Sequence, residues 1–285
     1  MKSDNIWSKK MQEFTVKKIG RAVTLEAVVA AFDVIRPKNF YFAGEMHDFW
    51  EMVYAADGVA TATADERVYT LTRGNLLFHK PMEFHRVWSS ANTVPHLLLI
   101  SFKATGIAMK QLEKGFYRLN GYQAARLSEI EKLFEQVIGL YESDRNGNGF
   151  KLKSSLAAAA FEGFITELCE SGLEDRRDNS PYADTYRRVI RYMQSHCCES
   201  LTVCQIARAC GLSESNLKRI FKMFCDRGVI SYHNSLRIRT AVKMLYDEIP
   251  VSKISEELGF SSPSYFYVAF KRETGKTPRD FLKSK

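Results

Sequence analysis

The chain has 285 residues, 45% of them hydrophobic and 26% charged, with a formal net charge of +8. That length accommodates two domains with separate cores. The balance excludes a disordered chain, and no apolar run reaches the roughly 18–20 residues of a membrane-spanning helix.

In chain order, residues 1–18 mix Lys, Asp, Gln and Glu with scattered apolar residues and lack the apolar stretch of a signal peptide, so a cytoplasmic location is expected. Residues up to about 105 read as β-structure. The segment 41–56 is rich in aromatic and β-branched residues and ends at Asp57-Gly58, a hairpin signal. Short strands follow at 68–71, at 76–78 after the turn Arg73-Gly74-Asn75, and at 96–102. Short strands at this spacing suggest a sandwich or barrel.

Residues 123–170 read as two helices. Leu127, Ile130, Phe134, Val137 and Tyr141 share one face. A polar break at 143–149 precedes a second stripe of Leu152, Leu156, Ala160, Phe164 and Leu168. These faces close either on the β-domain or on a second subunit. The polar segment 171–183 reads as a linker. The expected architecture is α+β and multidomain: a β-barrel or sandwich at 1–107, a helical linker or dimerisation segment at 108–180, and an all-α domain at 181–285.

The whole basic excess lies in that last domain, which holds 18 Lys and Arg against 10 Asp and Glu. DNA phosphates attract such a domain and release counterions when it binds. The chain's six cysteines (Cys169, Cys197, Cys198, Cys204, Cys210, Cys225) include no CxxC pair and have no zinc-finger histidines, so reduced thiols are expected.

The strongest signal is an internal repeat. Ile206-Ala-Arg-Ala-Cys-Gly-Leu212 matches Ile254-Ser-Glu-Glu-Leu-Gly-Phe260, and Phe221-Lys222 matches Phe270-Lys271. Each copy has the pattern of a helix-turn-helix, at about 202–224 and 251–273. A small residue, Ala207 or Ser255, lets the next helix cross closely. Gly211 or Gly259 takes the positive φ that ends the first helix. Ser213 or Ser262 then caps the second. Leu217, Ile220, Phe221 and Phe224 form the buried face of copy one, and Phe266, Ala269 and Phe270 that of copy two. The opposite faces are the expected DNA contacts: Ser213, Ser215, Asn216, Lys218, Arg219 and Lys222 in the first copy, and Ser262, Ser264, Tyr267 and Lys271 in the second. Arg and Lys match guanine edges or phosphates. The less basic second face suits positioning more than base readout. Ile238, Ala241, Val242 and Leu245 mark a helix joining the two copies. Two recognition helices on one rigid domain reach successive major grooves, about 34 Å apart.

On these residues, together with Gly275, Thr277-Pro278 and Phe281, segment 184–283 resembles the DNA-binding domain of the AraC/XylS family of bacterial regulators. The resemblance implies a seven-helix domain, binding to double-stranded promoter DNA, activation through RNA polymerase and a homodimer. Tyr267-Val268 stands where the family's second copy often has Ser-Arg.

His47-Asp-Phe-Trp-Glu51, Gly58, Gly74-Asn-Leu-Leu-Phe-His79-Lys-Pro81 and His85 resemble a cupin barrel, the usual sensor domain of that family. The resemblance implies a small-molecule effector, of a carbohydrate or other catabolic pathway, held by His47, Trp50, Glu51, His85 and Trp88. Enzymatic cupins bind metal near these positions, but Phe49 breaks the opening histidine pair, so neither metal nor another cofactor is expected. The competing class, a cupin-type metal-binding enzyme with an accessory DNA-binding domain, is disfavoured for the same reason, and no catalytic residue is expected.

Overall fold

A computed structural model describes residues 20–113, 115–171 and 180–283. The reading of residues 1–18 and most of the linker at 171–183 lie outside the described residues. The N-terminal half is a two-sheet barrel. One sheet has the order β1-β7-β2-β5-β8, from β1 (Thr24–Ile35), β7 (His96–Thr105), β2 (Trp50–Asp57), β5 (Asn75–His79) and β8 (Phe116–Arg118). The other has the order β4-β3-β6, from β4 (Arg67–Thr72), β3 (Val59–Ala64) and β6 (His85–Ser89). All pairings are antiparallel, as short connections allow. The hairpin at Asp57-Gly58 forms as expected, with Gly58 at φ +70° packed against the Pro95 backbone.

Side chains alternate across each strand. Val53 and Ala55 of β2 point between the sheets, where they meet Ala60, Ala62, Ala64, Tyr69, Leu71, Leu77, Val87 and Leu97 in one core. Trp50, Met52 and Tyr54 point out from the larger sheet. There they meet two helices, α2 (Gly121–Asp144) and α3 (Asn148–Ser171), after the short α1 (Ile107–Leu112). Phe102 of β7 makes an edge-on contact with Phe161 of α3 at 4.6 Å. The helical faces thus close on the barrel.

Three details differ from the sequence reading. Residues 41–49 form no regular strand, only single bridges from Tyr41 to Trp88 and from Glu45 to His85. β8 lies in the segment expected to be helical and pairs with β5. The buried face of α3 is Ala157, Phe161, Phe164, Ile165 and Leu168, while Leu152 and Leu156 are 73% and 54% exposed. The helix carries two apolar stripes, and the barrel covers only one.

The C-terminal domain has seven helices among the described residues: α4 (Pro181–Ser195), α5 (Val203–Ala209), α6 (Glu214–Phe224), α7 (Val229–Tyr246), α8 (Val251–Glu257), α9 (Pro263–Thr274) and α10 (Pro278–Lys283). Helices α5–α6 and α8–α9 are the two helix-turn-helix units. α7 runs through both cores: Val229, Tyr232 and Leu236 pack with the first unit, Ile238, Ala241, Val242 and Leu245 with the second.

Candidate DNA interface and barrel-end cluster

Each helix-turn-helix is built as its sequence specifies. Gly211 and Gly259 both have φ +65°. The Ser213 hydroxyl accepts from the Asn216 backbone N–H at 3.2 Å, and Ser262 accepts from that of Tyr265 at 3.1 Å. Both serines therefore cap their helices and keep a hydroxyl hydrogen to donate. In α6, Leu217, Ile220, Phe221 and Phe224 are buried, leaving Ser215, Lys218, Arg219 and Lys222 exposed. Lys218 lies 3.6 Å from Glu214, one turn earlier. Arg219 donates to Asn216 at 3.0 Å and stacks over Tyr182 at 5.0 Å, so its guanidinium is held in place. In α9, Ser264, Tyr267, Val268 and Lys271 are exposed. The second face has one cation there and two exposed apolar side chains, as the sequence indicated.

The domain is clamped to the outer face of the smaller sheet. Asp65, at the tip of the β3–β4 turn with φ +51°, is 4% exposed. Its carboxylate accepts from Arg239 of α7 at 2.5 and 2.8 Å, from the Tyr232 hydroxyl at 3.2 Å and from the Phe84 backbone N–H at 3.2 Å. Burial would lower the Arg239 pKa, but Asp65 more than offsets it and keeps the guanidinium charged. Nearby, Arg86 stacks between Tyr41 and Trp88, 4.6 Å from each ring, and donates to the Met223 carbonyl at 3.4 Å. A cation there suits the negative end of α6. Val68 and Phe84 of the barrel share one core with Tyr186, Phe221 and Tyr232.

The expected effector residues divide. His47, Glu51 and His85 come together at one barrel end. Trp50 points out from the larger sheet, and Trp88 packs toward the DNA-binding domain. Alternation sends each tryptophan to the opposite face from its neighbour, Glu51 in β2 and Val87 in β6.

At the barrel end, His47 Nδ1 donates to the Phe49 carbonyl and His85 Nδ1 to the Glu83 carbonyl, both at 3.0 Å. Glu51 accepts from the Ser101 hydroxyl at 3.1 Å. Burial and the neighbouring His85 push His47 down to about 4. Burial would also lower His85, but Glu51 overrides it and raises the imidazole to about 9. Burial would raise Glu51, yet His85 and the adjoining imidazoles bring it down to about 2. His79 stacks on His85 at 4.3 Å, and burial holds it well below the usual histidine range.

Sequence reading missed Glu45, Asp65, Arg86 and Arg239, and named His79 within the cupin-like segment without giving it a role. Glu45 carried a signal, since it stands two residues from His47 and so on the same side of an extended segment. Asp65 carried none, because its partners are distant in the chain.

Comparison with known proteins matches residues 31–160 to the family described as "AraC-like ligand binding domain" and residues 206–284 to "Helix-turn-helix domain". The uncharacterized HTH-type transcriptional regulator YdeC of Bacillus subtilis is 23% identical, over 94% of this chain and 96% of its own. The HTH-type transcriptional activator RhaR of Salmonella dublin is 25% identical over 83% of this chain and 86% of its own. The xylose operon regulatory protein of Escherichia coli is 27% identical over 33% of this chain and 24% of its own. Among solved structures, ToxT from Vibrio cholerae O395 aligns at TM-score 0.38 with 16% identity, covering 89% of this chain and 96% of that one. Among the described residues no helix is long and apolar enough to cross a membrane. With an AraC-like ligand-binding domain ahead of paired helix-turn-helix units in the most basic part of the chain, this protein belongs to the AraC family of sequence-specific DNA-binding transcription regulators.

Proposed function

We propose that this chain is a cytoplasmic, effector-responsive activator, not an enzyme, that works at promoters as a homodimer and through RNA polymerase. The observation that carries the reading is a single domain with two exposed recognition faces, clamped to a sensor barrel through Asp65. A one-component switch needs both parts: a reading surface and a contact that a ligand can alter.

Val53, Ala55, Ala60, Ala62, Tyr69 and Leu77 pack into one core between the sheets, and the space proposed for the effector lies between the domains. A cavity of about 830 Å³ lies there, lined by Trp50, Asp65, Arg67, Met82, Arg239 and Tyr246. A small molecule in this crevice would touch Asp65 and Arg239 directly. Its mix of apolar and charged walls suits a polar metabolite with an acidic or hydroxylated group. The name of the xylose operon relative favours genes of carbohydrate use as targets. The homodimer is supported by the uncovered apolar stripe of α3, Leu152 and Leu156.

Helix α6 supplies the main readout and α9 mainly positions the domain. Arg219→Ala is expected to cost about 1–3 kcal/mol on the cognate operator and to relax base preference at one position. Operator selection from a random pool, followed by titration on the selected and mutated sites, measures both. An equal loss on every sequence would assign Arg219 to a phosphate and overturn its reading role.

A further inference from the structure

DNA binding and domain clamping leave the cluster at the barrel end without a task. Glu45, from the segment that bridges to β6, joins His47, Glu51 and His85 there, and one ligand atom from each lies within 4.8 Å of the others. We propose that these four side chains bind a divalent first-row transition-metal ion, through the two imidazole Nε2 atoms and one oxygen of each carboxylate.

Spacing is the first argument. His47 Nε2 lies 3.8 Å from Glu45 and 4.0 Å from Glu51; His85 Nε2 lies 3.8 Å from Glu45 and 3.4 Å from Glu51. Ligands bonded at roughly 2.1 Å to one ion stand about 3.4 Å apart in a tetrahedron, and about 3.0 or 4.2 Å apart in an octahedron. The four groups already stand at chelating separation, too far apart for most of them to satisfy one another.

Orientation is the second. A carbonyl oxygen only accepts, so each Nδ1 carries its hydrogen toward the backbone and each Nε2 faces the cluster. Both Nε2 atoms are buried and make no hydrogen bond. Buried polar atoms of this kind need a partner. A backbone carbonyl behind Nδ1 is also what fixes a ligating imidazole in metal sites. An ion pair between His85 and Glu51 alone would leave His47 Nε2 unanswered and Glu45 unused.

Donor chemistry selects the ion. Two imidazoles and two carboxylates fit Zn²⁺, Fe²⁺, Mn²⁺, Co²⁺ or Ni²⁺. Calcium and magnesium favour sites built wholly of oxygen. Glu45 is half exposed, so one side of the ion faces solvent. The ligand segment also borders the DNA-binding domain. Met46 Sδ lies 3.9 Å from Arg239, and a cavity of about 360 Å³ is lined by Met46, His47, Phe49, Thr274, Gly275 and Phe281. Metal loading would stiffen this segment beside Arg239.

Calorimetry with Zn²⁺ and absorption spectroscopy with Co²⁺, on chelator-stripped full-length protein, test the site without reference to transcription. One equivalent per chain is expected, with the Co²⁺ spectrum of nitrogen and oxygen ligands and no thiolate charge-transfer band. Glu45→Gln and His47→Ala, each checked for folding by circular dichroism, should weaken binding at least roughly tenfold. The paired change C197S and C198S should leave it unaltered. Absence of stoichiometric binding, binding that survives the combined Glu45→Gln and His47→Ala change, or a thiolate spectrum lost with the cysteines would each overturn the proposal.

Discussion

Glu131 lies on the buried face of α2, 2% exposed, with one carboxylate oxygen making no hydrogen bond. Burial first, then the negative charges of Glu135 and Asp33, raise its pKa to about 7. An acid with a raised folded pKa holds its proton more tightly when folded. It is protonated in both states below about pH 4 and costs nothing there. The cost grows as pH rises from about 4.3 toward the folded value and is complete above it. Glu131→Gln is therefore expected to stabilise the protein at pH 8 by about 2–3 kcal/mol and to be neutral at pH 4. Urea unfolding at the two pH values checks this, and an equal effect at both would refute it. At this scale, residue types read well and their surroundings poorly. His47, Glu51 and His85 were legible as one polar group only through the resemblance of their segments to a cupin barrel. Trp50 and Trp88 stand apart from that group because a one-residue step along a strand reverses the face, and Trp50 lines the crevice between the domains instead.

Among the elements, the two helix-turn-helix units were legible nearly to the residue, because their signals are local: a small crossing residue, a turn glycine, a serine cap and an apolar face at helical spacing. Beyond the hairpin signal at Asp57-Gly58 that opens it, β3 was hard to read, for the opposite reason. Its inward residues are Ala60, Ala62 and Ala64, which differ little in polarity from the intervening threonines. β1 was hidden by two register shifts, at 25–27 and 28–30, that break its alternation. Matching motifs also conceal unequal surroundings. At Gly211 an added Cβ meets nothing within 4 Å, while at Gly259 it would stand 2.8 Å from the Cys198 carbonyl oxygen. Gly211→Ala should thus cost only the left-handed backbone strain, about 1–2 kcal/mol. Gly259→Ala must also displace the Cys198 backbone and should cost clearly more. Denaturant midpoints of the two variants rank them, and equal losses would show that the 196–199 turn yields freely.

For the molecule as a whole, the consequential feature is which sheet faces which partner. The larger sheet spends its outer face on α2 and α3, so the smaller sheet alone remains to meet the DNA-binding domain. That contact has a buried ion pair at its centre, and such a pair is costly to break from one side: the charge left behind is worth about 3–5 kcal/mol of destabilisation. In Asp65→Ala the stranded charge is Arg239, and undocking returns it to water. The variant should therefore shift the population toward the released domain, since every 1.4 kcal/mol changes that ratio about tenfold. Released, the domain no longer has the carbonyls at the end of α6 tied to Thr63 and Arg86, and its two reading faces can align to the groove together. Ligand-free operator affinity and reporter transcription are expected to rise several-fold, while the added response to effector shrinks. Asp65→Asn, which keeps one acceptor for Arg239, should fall between the variant and the parent. A folded Asp65→Ala protein with unchanged operator affinity, or with affinity lost on all DNA, would mean that the docked arrangement is itself the binding form and that the clamp holds the domain in its reading position.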